Sequence, residues 1–256
     1  MHRFHIQVLA TAAAALALMG CDTVKKADTG GLLNVGGTAF KAMSLSDSEV
    51  VAMSDDSCAA MDKKNAIAAP ASKYAKRLDQ VVKSMPTGVN GKTANYKVYM
   101  TKDVNAWAMA NGCIRVYSGL MDLMNDDELR GVIGHEIGHV ALGHSKARMQ
   151  MAYATSAARE LASASGGVAK ALSESEAGDL AEKFVHAQYS QANESAADDY
   201  SFDLLKERKL ERKGLVTSFQ KLAKLSEGKE GNSMMSSHPP SSERSARMQK
   251  RLDEGR

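Results

Sequence analysis

Apolar side chains recur along this chain at two spacings, and the change from one to the other outlines the fold. Helical patterning begins at Ser46; Tyr74, Leu78, Val81, Val82 and Met85 then fall on one helix face, and Pro86 ends the run. After a turn signal at Asn90-Gly91, Tyr96, Val98 and Met100 alternate with polar residues, the period of a half-buried strand. Further extended segments are expected through Ala106 to Met109 and, past Asn111-Gly112, over Cys113-Ile114-Arg115-Val116-Tyr117. The helical period returns at Asn125, which with Glu128 makes a capping signal and opens the run Leu129, Val132, Ile133 and Val140. This order predicts an α+β fold, predominantly helical, with a small antiparallel sheet ahead of the long helical remainder. Residues 161–178, rich in Ala, Ser and Gly around Gly166-Gly167, read as a mobile loop over the site or a weak helix pair.

Composition adds little except by exclusion. A chain of 256 residues with 44% hydrophobic content can bury a core as one ordinary domain or two small ones. Its 33 basic and 30 acidic residues balance too closely to point to nucleic acid, and no such partner is expected.

The first twenty residues stand apart. Arg3 is their only Lys or Arg, they contain no acid, and the apolar run from about Ile6 to Met19 is too short to span a bilayer comfortably. Ending in Leu18-Met19-Gly20-Cys21, the segment resembles a bacterial lipoprotein signal, in which a small residue precedes the cysteine that is cleaved and acylated. That resemblance implies a signal over 1–20 and a mature chain held to a membrane through lipid on Cys21. An ordinary secretory signal with an incidental cysteine is the alternative. Asp22 resembles an inner-membrane retention signal whose rule varies between bacteria, so inner and outer membrane both stay open. Residues 21–45 read as a flexible tether, leaving 46–256 as the folded domain. With Cys21 set aside, Cys58 and Cys113 form an even pair in a chain that reads as exported, so a Cys58–Cys113 disulfide is expected, two buried free thiols being the alternative.

The candidate chemistry lies in the helix opened by Asn125. His135 and His139 of His135-Glu136-Ile137-Gly138-His139 are four apart, so both imidazoles project from one face and can share one zinc ion, one per chain. Glu136, offset by one residue, can reach a bound water without taking a ligand position, the placement of a general base. The alternative is a solvated helix face with two incidental histidines, but Gly134, Gly138 and Gly143 would each cost such a helix about 1 kcal/mol relative to Ala. A catalytic zinc usually has three protein ligands. His144 lies about half a rotation from His135, and Ser145 stands where the HExxHxxGxxH pattern needs its last histidine, so His144 is expected to cap or face the helix end. Glu194 is the expected third ligand. It shares a helix face with Asp198, which could accept a proton from the non-ligating nitrogen of a zinc histidine, and Ser195-Ala196-Ala197 would let the two helices approach closely. An ordinary acidic helix start is the alternative there.

Several separated segments carry a more specific likeness: Asn105-Ala106-Trp107-Ala108, Ile114 to Leu120, Gly134 to Val140, Glu194 to Asp198, and Ser237-His238-Pro239-Pro240-Ser241-Ser242-Glu243-Arg244. On these residues the chain resembles the HtpX-type and CAAX-prenyl-protease-type zinc metallopeptidases, and most of all their lipoprotein members. The resemblance implies a zincin-like catalytic domain of gluzincin type: zinc on His135, His139 and Glu194, Glu136 as base, and Asp198 behind a ligand. It also implies that His238 lines the site and bonds the tetrahedral oxyanion, and that Arg244 holds the His-Pro loop or a substrate carbonyl. Without the family, His238 before two prolines reads as a loop residue. The strand from Cys113 to Tyr117 would bind substrate as an added strand. The expected function is a lipid-anchored zinc endopeptidase facing the periplasm and cutting unfolded or misassembled envelope proteins. The competing readings are a zinc-stabilised chaperone or adaptor that holds clients uncut, which Glu136 argues against, and a membrane-anchored scaffold.

Overall fold

Local capping sets where the first helices start. The structure, a computed structural model, describes residues 44–156, 172–226, 237–238 and 242–255. In α1 (Asp47–Lys64) the Ser46 hydroxyl accepts from the Glu49 amide while the Glu49 carboxylate accepts from the Ser46 amide. Helix α2 (Lys73–Val82), capped by Ser72, buries Leu78 and Val81 and stops short of Pro86. Asn90 and Gly91, at φ 50° and 75°, then make the left-handed turn between β1 (Gly88–Val89) and β2 (Lys92–Thr93).

The main sheet has three strands, β3 (Asn95–Tyr99), β4 (Ala106–Ala108) and β5 (Cys113–Tyr117), in the order β3-β5-β4. The expected antiparallel pairing is present between β4 and β5, but β3 runs parallel to β5, with Asn95 opposite Cys113 and Tyr99 opposite Tyr117. The sheet is therefore mixed. Gly112, at φ 84°, folds β5 straight back onto β4, so β3 is left to pair with the opposite side of β5. One expectation changes as a result. All five residues of β5 are buried and both its edges are paired, so it cannot receive an added strand. The outer side of β3 is occupied as well, since the Ala68 amide donates to Val98 and the Met100 amide to Ala66. β4 forms the other edge; its three residues are buried too, its Ala108 carbonyl accepts from the Ser145 hydroxyl and its Ala106 amide donates to Asn105 Oδ1.

The disulfide joins Cys58 of α1 to Cys113 at the start of β5, closing a loop of 55 residues that contributes about 4 kcal/mol by loop entropy. Beside it the buried Arg115 binds both oxygens of Asp62, at 2.8 and 2.9 Å, and Lys97 and Tyr99 reach the same carboxylate. Burial alone would raise the Asp62 pKa; these donors outweigh it and hold the group below its ordinary value.

After α3 (Ser118–Leu123) the chain enters α4 (Asp126–Ala141), whose Asn125–Glu128 capping box is the predicted one. Leu129, Val132, Ile133, Ile137 and Val140 of α4 share a core with Val98, Ile114 and Val116 of the sheet. The other side of α4 meets α7 (Gln191–Glu207) and α8 (Lys213–Ser226). A Cβ on Gly131 would lie 2.8 Å from the Cα of Leu215, and one on Gly134 only 2.6 Å from Oγ of Ser201, which donates to the Gly131 carbonyl. These glycines let backbones approach. Between the two come α5 (His144–Thr155) and α6 (Glu174–His186), and α9 (Ser242–Asp253) follows α8. Among the described residues no helix is long and apolar enough to cross a membrane. The segment 1–20, Cys21, nearly all of the 21–45 tether and the Gly166-Gly167 region lie outside the described residues.

Candidate metal centre

Four-residue spacing on α4 turns His135 and His139 to the same side, and their Nε2 atoms come within 3.0 Å of each other. The first turn of α7 brings Glu194 to them, its carboxylate 3.6 Å from His135 Nε2 and 3.3 Å from His139 Nε2. His238 completes the cluster, its Nδ1 lying 3.3 Å from His135 Nε2 and 3.0 Å from Glu194 Oε1. The amide of Tyr189 donates to the carbonyl of Ser237 and so docks this segment beside α7. One donor atom from each of His135, His139, Glu194 and His238 lies within 4.8 Å of the others, and all four residues are buried.

The chemistry of this set fits a cation. His135 Nδ1 faces the Asp198 carboxylate at 2.9 Å, an acceptor, so the proton sits there and Nε2 offers a lone pair to the cluster. Lone pairs and a carboxylate converging in a buried space repel one another unless a positive ion lies among them. Burial strongly disfavours the imidazolium of His139 and so keeps its lone pair. For Glu194, burial opposes ionisation but is outweighed by the neighbouring His238 and His135 and a hydrogen bond with His139, and its pKa is held far below the carboxylate range. Glu136 stands just outside, with its pKa raised above the ordinary range by burial. Its Oε1 makes no hydrogen bond and lies 3.4 Å from His238 Nε2.

Arg244 stands behind the candidate ligands, against the carboxylates of α7. It is buried, with Nε and Nη2 each 2.7 Å from an oxygen of Asp198 and Nη1 2.6 Å from Glu194. Two carboxylates one turn apart on a buried helix face require a compensating cation, and the guanidinium supplies it. It also lies over the ring of Phe219, 5.0 Å from the centroid. His238 lines the site, with Nδ1 among the ligand atoms and Nε2 on the side of Glu136.

Two contacts had no signal in the sequence pattern. His144 does not merely cap a helix: its Nδ1 lies 3.1 Å from Nδ1 of His139. Tyr189 stacks flat on His139, ring centroids 3.7 Å apart at 10°, with the guanidinium of Arg148 on Tyr189 at 4.3 Å. Tyr189 stands five residues before Glu194, outside its helix, where periodicity says nothing about contacts.

Comparison with known proteins agrees with this geometry. Residues 72–252 match peptidase family M48. The chain is 52% identical to Metalloprotease YcaL of Escherichia coli (strain K12) over 249 residues, 97% of this chain and 98% of that protein. It is 51% identical to Metalloprotease LoiP of the same strain over 245 residues, 96% of each. A shorter likeness, 54% over 37 residues, covers 14% of this chain and 12% of Protease HtpX of Acinetobacter baumannii (strain AYE). The family implies a divalent metal, and the buried histidine and glutamate cluster could hold one. With the match running from α2 into α9 and two metalloproteases alike over nearly their whole length, the chain belongs to peptidase family M48 and is a metalloprotease.

Proposed function

We propose that this metalloprotease is a zinc endopeptidase, lipid-anchored at Cys21 in a bacterial envelope, that cleaves unfolded or misassembled envelope proteins. One observation carries the reading: three candidate ligands of zinc type converge from α4 and α7 while a buried carboxylate, that of Glu136, stands beside them with its Oε1 making no hydrogen bond.

His135, His139 and Glu194 would hold the ion. Bound zinc supplies Lewis-acid polarisation and a lowered pKa for water. Glu136 takes the proton of the attacking water and returns it to the leaving amine. His238 Nε2, next to Glu136, is available to the developing oxyanion. Asp198 fixes the tautomer of His135, and Arg244 pairs with both carboxylates of α7 and holds them in place. An extended substrate would be recognised through its backbone, which is weakly sequence-specific and suits an unfolded chain.

Stripping zinc with a chelator should reduce hydrolysis of a denatured protein to background, and one equivalent of zinc should restore it. Undiminished cleavage by metal-free chain would reject the reading. For the anchor, Cys21→Ser expressed from the full sequence should move the chain from the membrane fraction to the soluble one. If it stays with the membrane, the lipid at Cys21 is not what holds it.

A further inference from the structure

Each imidazole on α4 turns one nitrogen into the cluster and one away, and the two outward nitrogens meet different partners. That of His135 faces the carboxylate of Asp198 at 2.9 Å. That of His139 faces another imidazole, Nδ1 of His144, at 3.1 Å. We propose that His144 is a positioning residue of the metal centre: its Nδ1 accepts the Nδ1 proton of His139 and so fixes the tautomer that presents His139 Nε2 to the ion. This rests on His139 being a ligand, as read above.

A contact between two ring nitrogens at 3.1 Å needs one donor and one acceptor. If His139 offers the lone pair of Nε2 inward, its proton is on Nδ1, and His144 must be the acceptor with its own proton on Nε2. The backbone builds this contact. Helix α4 ends at Ala141, and Gly143, at φ 76°, takes the left-handed conformation that starts α5 with His144 as its first residue. The break brings His144 back against His139, ring centroids 5.2 Å apart at 62°.

Tyr189 cannot do the same work. Stacked at 3.7 Å, it fixes the plane of the His139 ring but presents no acceptor to Nδ1. Choice of tautomer is left to His144. The two imidazoles of α4 are thus oriented unequally, one by a carboxylate and one by an uncharged ring, and substitution of either acceptor acts through metal affinity before it acts on chemistry.

The test compares zinc affinity of the full chain, by competition with a chromogenic chelator, in His144→Leu, His144→Asn and His139→Ala. His144→Leu removes the acceptor and should weaken zinc binding about 10- to 100-fold. His144→Asn places an amide oxygen near the Nδ1 position and should recover most of that loss, a rescue that simple space-filling would not produce. The visible absorption of the cobalt-loaded chain should shift with Leu and return with Asn. His144→Leu binding zinc within twofold of the parent, or Asn behaving no better than Leu, overturns the proposal while leaving the ligand set intact. Parent-like zinc binding by His139→Ala would overturn the ligand assignment, and this inference with it.

Discussion

Glu136→Gln should leave the chain folded and loaded with metal while hydrolysis of an unfolded protein falls about 10²- to 10⁴-fold, the range for loss of a general acid–base group. The amide keeps the shape of the carboxylate but cannot accept the water's proton. Glu136 is buried, its Oε1 makes no hydrogen bond, and it is not among the four residues whose donor atoms converge, so the substitution removes neither a ligand nor a structural contact made by that oxygen. Turnover and zinc content measured on the same preparations decide it. Parent-like turnover would remove Glu136 as the base, and zinc lost along with activity would make it part of the metal's support instead.

Arg244→Met should lower stability by about 3–5 kcal/mol, the usual result of removing one partner of a buried charge pair. For a domain of this size that is on the order of 10 °C in thermal midpoint. The guanidinium makes two hydrogen bonds to Asp198 and one ion pair to Glu194, and both carboxylates are buried. Burial by itself would raise the pKa of Asp198; its bond to Arg244 leads the effects that instead lower it, so loss of the arginine strands an anion. Adding Asp198→Asn to Arg244→Met should recover part of the loss by neutralising what was stranded. Unchanged melting of the single variant would show that the pair has no net role in stability.

Much of the site could be read from linear spacing, because a helix repeats every 3.6 residues and so places residues four apart on one face. That rule paired His135 with His139 and Glu194 with Asp198, and the capping residue Asn125 located a helix start because a cap is a contact between near neighbours. The Cys58–Cys113 bridge followed from counting, since two cysteines allow one pairing. The glycines of α4 were visible as a cost, and Ser195-Ala196-Ala197 announced the close approach of α7, but that of α8 was not legible.

Alternation at Tyr96, Val98 and Met100 and the strand-forming run Cys113–Tyr117 predicted two strands but carried no information on direction, and only the tertiary structure made β5 central and β4 an edge. His144, counted round a continuous helix, pointed away from the site; the left-handed turn at Gly143 reverses that geometry. The partners of Arg244 and the stacking of Tyr189 on His139 join segments tens of residues apart. The sequence by itself determined which residues share a face within one element, since a fixed backbone repeat imposes that locally. Which faces meet depends on how whole elements pack, and that is settled by burial and charge compensation across the fold rather than by any local period.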